Sequence, residues 1–463
     1  MLKKIYTILF FLGLFFFAFN EFEGIPALGE FQNEAGAFFF LAGFVVLIAS
    51  GKIGVPVKNF HFHLLLLFLA WCIICTLLNF PSVLENYFKQ TGGVNRFIRQ
   101  YFSLLLSCMV FFLLYWNVIK NMTAKEILLQ IRRVFFYSLI VASVYGFFET
   151  LVTVFHISAA MSVLDLLSYL PFIEVQVHQD RISSISYEPP FLAIYLITIA
   201  GWMFSYILTE KKWYKFLPTL SILVLTYYSG SRTALLVIFV QLAIFLSFLY
   251  KTANYRKYLG YAVAFVFFGA VVLLAFNAEK VIKSVGTKLE SLNFKDNLTK
   301  SVSNKSRFGM QYASLKVWEE NPIEGVGFGQ QSYHSRHHYP GWATRDNYEF
   351  RLWYMNPNEK SFPPGYNLFT RLLAETGIVG TLLFILLLYF TIKQSRFLSR
   401  SRTDDEKIIG IILLVSFIGL SINWLQIDSF RMYGFWLCLA ILIRLNTKNR
   451  TINEQISTVN SPL

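Results

Sequence analysis

The sequence has few charged residues: of its 463 residues, 15% are Asp, Glu, Lys or Arg, whereas 55% are hydrophobic. With a mean hydropathy of +0.51, this composition excludes a soluble globular protein and indicates an integral membrane protein. The apolar runs lack strict alternation with polar residues, which excludes a strand barrel. Runs of about 20 apolar residues recur instead, the length a helix needs to cross a hydrocarbon core of about 30 Å.

Cysteine is also scarce. The four cysteines, Cys72, Cys75, Cys108 and Cys438, all lie inside apolar runs, where neither a disulfide nor a zinc site is expected. The Cys72-x-x-Cys75 spacing has the form of a redox motif, but on a lipid-embedded helix it is better interpreted as two small apolar side chains.

Acidic residues are fewer than basic ones, 27 against 41, which gives a formal net charge of +14. The basic residues are concentrated in alternate loops, for example at 120–133 and 393–407, and are sparse in the short loops of the other side. Such asymmetry is the orientation signal of membrane proteins, with the basic loops in the cytoplasm. It therefore predicts that both termini are cytoplasmic, and nucleic acid is not expected as a partner.

The apolar runs predict an all-α integral membrane protein with about 12 transmembrane helices and one large, partly helical external loop. The first run follows Lys3 and Lys4, but no small-residue cleavage site follows it, so we interpret it as a span. The predicted spans are 5–20, 35–50, 60–80, 97–119, 134–156, 189–208, 215–229, 233–250, 257–276, 366–391, 408–425 and 431–445.

These spans divide the chain into four parts: a transmembrane bundle of spans one to nine (1–276), a large external loop (277–365), a second bundle of spans ten to twelve (366–450) and a flexible cytoplasmic tail (451–463). A loop this long is uncommon unless it is functional or carries its own secondary structure. Apolar residues near helical spacing predict a helix at 306–320 that lies over the membrane. A second outer segment contains an amphipathic stretch at 161–170.

Two outward turns carry charged residues beside predicted spans. Arg232 follows Ser229-Gly230-Ser231, and its guanidinium could bind phosphate bidentately; the alternative is a snorkelling arginine that caps a short turn. Glu188 precedes Pro189 and Pro190 at the start of span six. A proline pair and a carboxylate both suit a helix N-terminus, which is the structural alternative to a catalytic role for Glu188.

The large loop contains a glycine motif and a histidine cluster. Gly325-x-Gly327-x-Gly329 is not a dinucleotide fingerprint, because no βαβ unit surrounds it, and we expect these glycines to permit a close backbone turn. His334 lies near two further histidines, but no carboxylate or cysteine stands at ligand spacing, so a metal site is not expected. Trp318, with Trp342 and Trp353, makes the loop rich in aromatic residues, and these rings could form a lid that stacks on a ligand.

Three polar residues follow the large loop at helical spacing: Asn367, Arg371 and Glu375. On a helix they share one face, next to a water-facing loop at the edge of the membrane, which marks a candidate functional site. The structural alternative is a salt bridge between Arg371 and Glu375 within the helix.

Three segments carry a family resemblance: YSGSRTAL at 228–235, SRFGMQYASLKVWEENPIEGVGFG at 306–329 and YNLFTRLLAETGIVG at 366–380. In order and spacing they resemble the O-antigen ligase and Wzy polymerase superfamily, in detail over 185–390. The resemblance implies a multispanning protein of the bacterial cytoplasmic (inner) membrane. Its active site would face the periplasm or exterior and transfer glycans carried on undecaprenyl pyrophosphate.

The resemblance also implies residue roles. Arg232 and Arg307 match the arginines thought to hold the pyrophosphate, and Tyr366 stands where ligases have a histidine. A phenol with a pKa near 10 is a poor base at neutral pH, which favours a polymerase over a ligase. A transporter or flippase of lipid-linked sugars is a rival of another class, but the notable charges cluster at the predicted outer face and no symmetry between two halves is visible.

The predicted site therefore has two groups of residues. The catalytic candidates are Arg232, Arg307, Tyr366, Glu375 and Glu188, and the substrate-binding candidates are Ser231, Asn367, Arg371, Trp318 and His334. Neither a metal nor a cofactor is expected. The expected partners are undecaprenyl-pyrophosphate-linked glycans, membrane lipids, and a chain-length regulator and flippase of the same pathway.

Overall fold

The computed structural model describes residues 1–20, 22, 24–178, 181–251, 256 and 301–459. The predicted ninth span, 257–276, and the first part of the large loop, 277–300, lie outside the described residues. Within the described ranges the chain is mostly helical, with one two-stranded antiparallel hairpin formed by β1 (Tyr87–Phe88) and β2 (Thr91–Gly92).

All the other predicted spans coincide with helices, although the total of twelve and the side on which the termini lie stay predictions. The helices are α1 Leu2–Phe15, α2 Ala35–Ala49, α3 Phe60–Leu78, α4 Phe80–Glu85, α5 Gly93–Ile119, α6 Ala124–Thr153, α7 Met161–Leu167, α8 Pro189–Thr209, α9 Leu217–Tyr228, α10 Arg232–Tyr250, α11 Val302–Glu320, α12 Gln331–Ser335, α13 Gly341–Thr344, α14 Leu368–Leu398, α15 Asp404–Asn423 and α16 Tyr433–Val459.

Six of the described helices are long and apolar enough to cross a membrane: α3, α5, α6, α8, α10 and α14. Shorter apolar helices, α2 among them, accompany these six. The predicted loop helix is confirmed as α11, which begins four residues earlier than expected, and the amphipathic stretch at 161–170 contains α7.

Local sequence explains where several helices begin. Thr123 and Glu126 form a reciprocal capping box at the start of α6. Ser231 caps α10 by accepting a hydrogen bond from the Ala234 amide at 3.3 Å. Pro189 occupies the first turn of α8 with Glu188 as the N-cap, which confirms the predicted place of the proline pair at a helix start.

Helix α14 is broken at Gly377, which has φ 62° and ψ −166°, a conformation that glycine alone adopts readily. The break leaves carbonyls without helical partners, and the glycine motif supplies new ones. The Val326 amide donates to the Ala374 carbonyl at 2.9 Å, and the Gly327 amide donates to the Glu375 carbonyl at 3.0 Å. The large loop is thereby fastened to the first third of α14, one of the long apolar helices.

All three glycines of the motif have positive φ: 69° at Gly325, 96° at Gly327 and 79° at Gly329. A Cβ placed on Gly325 would lie 2.6 Å from the Ala374 carbonyl oxygen. The predicted close backbone turn is confirmed, because a side chain at this position would collide with α14.

Helix packing brings one end of several distant segments together. Helix α14 packs against α3 and α15 within the bundle, and α11, from the large loop, packs on α14. One apolar core runs through the bundle, and a smaller cluster around Met310 and Phe350 lies inside the external loop. The loop is thus a folded layer over one end of the bundle.

Candidate functional site

A polar cavity of about 750 Å³ lies at the end of the bundle that the external loop covers. Its wall is built from the segment between α1 and α2, the start of α5, the chain before α14 and the chain between α15 and α16. The charged residues on the wall are Arg96, Arg99, Lys360, Arg371, Arg431, Glu30, Glu34 and Asp428. Among the described lining residues cations outnumber carboxylates, so the cavity suits an anionic ligand.

Arg371 occupies the centre of a hydrogen-bond network on this wall. Its Nε atom lies 3.1 Å from a carboxylate oxygen of Glu375, which confirms the predicted pair. Its two terminal nitrogens donate to the Asp428 carbonyl oxygen and to the Gln100 Oε1 atom, each at 2.8 Å. A guanidinium fixed by three partners presents its charge in one orientation.

Glu375 is enclosed. Its side chain is 1% exposed, and its second carboxylate oxygen has no hydrogen-bond partner among the described residues. The lining of the cavity includes Arg371 but not Glu375. Glu375 therefore holds Arg371 in place from outside the cavity. The predicted catalytic role of Glu375 stays a prediction.

Two further arginines on the wall are held by the loop structure. Arg431 pairs with the carboxylates of Glu30 and Glu34. Arg96 donates to the Gly329 carbonyl oxygen at 2.8 Å, and its guanidinium stacks at 3.5 Å over the Phe362 ring. Both arginines link the bundle to segments that lie far away in sequence.

Arg307 and Tyr366 lie next to each other, as members of one candidate site should. The Arg307 guanidinium lies 5.1 Å from the Tyr366 ring centre and donates to the Gln426 side chain at 3.0 Å. The Tyr366 hydroxyl is 2.7 Å from the Tyr354 hydroxyl. Tyr366 follows Gly365, whose amide donates to the Asp428 carboxylate at 2.7 Å, so this pair adjoins the cavity wall.

The surroundings of Tyr366 make its ionised, proton-accepting form even less populated than that of an exposed phenol. Burial raises the pKa of the Tyr366 hydroxyl above its ordinary value, and nearby carboxylates act in the same direction. Burial likewise raises the pKa of its partner Tyr354. Both phenols stay protonated at neutral pH and serve as hydrogen-bond donors.

Asn367 caps the start of α14, a role that the sequence analysis did not predict. It precedes α14 as the N-cap, where its Oδ1 atom accepts from the amides of Phe369 and Thr370 at 2.9 and 3.2 Å. It therefore does not share the helical face of Arg371 and Glu375, because its own backbone is extended. Its amide nitrogen donates to the Gln311 side chain at 3.4 Å, which ties α11 to α14.

The remaining predicted residues lie around this centre. Arg232 is exposed at the first turn of α10 beside its capping residue Ser231, and the described lining of the cavity contains neither. Glu188 is exposed, and it follows Tyr187, which lines the cavity. Of the predicted residues, the structure brings together five: Arg307, Tyr366, Asn367, Arg371 and Glu375. Glu188 lies at the margin of this group.

Trp318 and His334 belong to the external layer. The Trp318 indole donates to the Pro322 carbonyl oxygen at 3.2 Å, just before the glycine motif. His334 lies on α12, where burial lowers the pKa of its imidazole. Neither is among the described cavity-lining residues, so their predicted contacts with substrate stay predictions.

Sequence reasoning did not find Arg96, Gln100, Asp428 and Arg431. One signal was present: Arg96, Arg99, Gln100 and Ser103 recur at helical spacing on the first turns of α5, in a segment otherwise apolar on its other face. Asp428 and Arg431 lie in a short loop between two spans and have no motif around them. Their importance appears only once the loops are folded together.

Residues 217–385 match the family model Wzy_C, described as O-antigen ligase. The match extends from α9 into α14 and confirms the resemblance to the O-antigen ligase and Wzy-type superfamily. It supports, in general terms, an enzyme of the O-antigen ligase or polymerase type and a multi-pass membrane protein. No curated protein matches the chain.

Proposed function

We propose that the chain is a polysaccharide polymerase. It transfers a glycan from undecaprenyl pyrophosphate onto a lipid-linked repeat unit at the outer face of the bacterial cytoplasmic membrane, in the synthesis of O-antigen, capsule or exopolysaccharide. The observation that carries the proposal is the coincidence of the family match with an arginine-rich cavity. Residues 217–385 contain Arg307 and Arg371, and both arginines lie at or beside the cavity beneath the external loop.

This glycan transfer depends more on cations that stabilise the leaving pyrophosphate than on a strong acid. A sugar hydroxyl attacks the anomeric carbon, the bond from that carbon to the pyrophosphate oxygen breaks, and negative charge accumulates on the pyrophosphate. Guanidinium groups in a partly enclosed site stabilise that charge. Arg232 and Arg307 are the proposed pyrophosphate ligands. A direct displacement of this kind inverts the anomeric configuration, and it requires no metal or cofactor.

A polymerase is favoured over a ligase by the environment of Tyr366. This residue stands where the ligases are expected to have a histidine, and its hydroxyl is buried against Tyr354 with a raised pKa. A protonated phenol cannot take the acceptor's proton at neutral pH. The ligase alternative, with lipid A core or a protein as the acceptor, would by the resemblance have a histidine at this position.

The test is synthesis of polymer by the purified protein in liposomes, from lipid-linked repeat units supplied on one side only. We expect chains of many repeat units, and a loss of polymer of at least about 100-fold for Arg307→Ala and for Arg232→Ala. Arg396→Ala, an exposed arginine at the far end of α14, is the matched control. Unchanged chain length in both site variants, each folded and present in the membrane, contradicts the proposal.

Gene deletion distinguishes the polymerase from its rivals. Loss of a polymerase leaves single lipid-linked repeat units, whereas loss of a ligase leaves long lipid-linked polymer. A flippase moves repeat units without joining them, so it gives no polymer in the liposome experiment. Polymer formed by the purified chain alone excludes that function.

A further inference from the structure

Three carboxylates line the polar cavity, and they differ in how many of their oxygens are already engaged. Glu30 accepts from the Gln100 side chain at 2.6 Å on one oxygen, and from Ser103 at 3.2 Å on the other, which also lies 3.4 Å from Arg431. Glu34 uses one oxygen for Arg431, and its other oxygen is buried with no partner among the described residues. Both oxygens of Glu30 are thus already engaged, and the free oxygen of Glu34 is enclosed.

Asp428 is arranged differently. One carboxylate oxygen accepts from the Gly365 amide at 2.7 Å, and among the described residues the other oxygen has no hydrogen-bond or ion-pair partner. The backbone of Asp428 is held by Arg371, which donates to its carbonyl oxygen at 2.8 Å. One carboxylate oxygen therefore fixes the orientation of the side chain, and the other oxygen is available to a ligand.

The position of Asp428 also fits a lipid-linked substrate. Asp428 lines the polar cavity and also a second cavity of about 200 Å³, whose wall includes Phe17, Ile194 and Met432. A molecule with a sugar head and a prenyl tail would pass from polar to apolar surroundings at such a boundary. The reacting end of the sugar would then lie beside this carboxylate.

We infer that Asp428 is the proton acceptor of the proposed glycan transfer, a residue outside the family match and outside the predicted site. The inference rests on the proposed function. As the acceptor sugar's oxygen forms its bond to the anomeric carbon, its O–H bond breaks and the proton passes to the unengaged carboxylate oxygen of Asp428. The electron pair of the breaking glycosidic bond leaves with the pyrophosphate. Asp428 later releases the proton to water.

Close packing around Asp428 supports a fixed orientation. A Cβ placed on Gly365 would lie 3.0 Å from the Asp428 carboxylate oxygen, so a larger residue there would displace the carboxylate. Other charged or titratable groups face this region: Arg371, Arg431, Glu34 and Tyr366. Of these, Glu34 is the competing carboxyl, and burial raises its pKa to about 7.

The experiment uses the full chain in liposomes with lipid-linked repeat units and measures kcat and KM. We expect Asp428→Asn, which is isosteric, to lower kcat at least about 100-fold with little change in KM. Glu34→Gln should lower kcat less than Asp428→Asn does. Asp165→Asn, an exposed carboxylate on α7, is the control for the substitution itself.

Each outcome decides the question. If wild-type protein makes no polymer, both the proposed function and the inference about Asp428 are wrong. If wild-type protein is active and Asp428→Asn stays within about 3-fold of it, the inference alone is overturned. A larger loss of kcat in Glu34→Gln than in Asp428→Asn also overturns it. Should Asp428→Asn fail to fold, Asp428→Glu replaces it: a lower kcat with little change in KM supports the inference, and an unchanged kcat overturns it.

Discussion

Gly377 of α14 approaches Ile323 of the external loop so closely that a Cβ on Gly377 would lie 2.0 Å from the Ile323 carbonyl oxygen. The Ile378 amide, freed by the break at Gly377, donates to the Pro322 carbonyl oxygen at 2.9 Å. The helix break and the loop therefore require each other, because each supplies the hydrogen-bond partners that the other lacks.

Gly377→Ala is expected to loosen the loop from α14. The substitution places a side chain in a conformation that costs about 1–3 kcal/mol and collides with the backbone of the loop. Thermal unfolding in detergent should shift to lower temperature, and limited proteolysis should cut 321–329 faster. Gly341→Ala is the matched control. Gly341 lies in the loop that contacts Gly377, and nothing is within 4 Å of the added Cβ. Equal stability of the two variants would contradict this account of the junction.

Arg371→Met is expected to destabilise the protein by about 3–5 kcal/mol, because it leaves the enclosed carboxylate of Glu375 without its cation. The double variant Arg371→Met, Glu375→Leu should recover much of that stability, since it removes both charges. Polymer synthesis should stay low in both variants, because the cavity has lost a fixed cation. Thermal unfolding and the liposome assay measure the two effects separately. Recovery of activity in the double variant would show that Arg371 is structural only.

Tyr366→Phe is expected to leave the pH dependence of polymer synthesis unchanged between pH 6 and 9. The pKa of the Tyr366 hydroxyl is raised by burial, so the phenol is protonated throughout this range and its removal takes away no base. Stability should fall by about 1 kcal/mol, the contribution of the hydrogen bond to Tyr354. Disappearance of a pH limb in Tyr366→Phe would instead assign the phenol a catalytic proton and remove this argument for a polymerase.

Glu149→Gln is expected to destabilise the segment that leads into α8. The Glu149 carboxylate is buried and accepts from the amides of Ser183 at 2.9 Å and Ser184 at 2.7 Å. A glutamine turns an NH₂ group toward one of those donors, at an expected cost of about 2–3 kcal/mol in unfolding free energy. Hydrogen exchange at 182–188 should rise. Ser183→Ala removes only a 3.3 Å hydroxyl contact and should cost less than half as much.

The sequence by itself determined the helical elements and the family resemblance. Apolar runs must form helices in lipid because their backbone groups have no other partners there, and this argument located α3, α5, α6, α8, α10 and α14. Local rules also predicted the salt bridge between Arg371 and Glu375 and the tight turn at Gly325, since both depend on near neighbours or on glycine's freedom.

The tertiary structure alone decided the cavity. Arg431 contacts Glu30, which is 401 residues away in the sequence, and Arg371 contacts Gln100, which is 271 residues away. Such pairs depend on the order and rotation of packed helices, which hydropathy and spacing do not encode. Asp428 shows the limit most clearly: one aspartate in a short loop has no signature in the sequence, and it becomes a candidate only when folding places it between a polar and an apolar cavity.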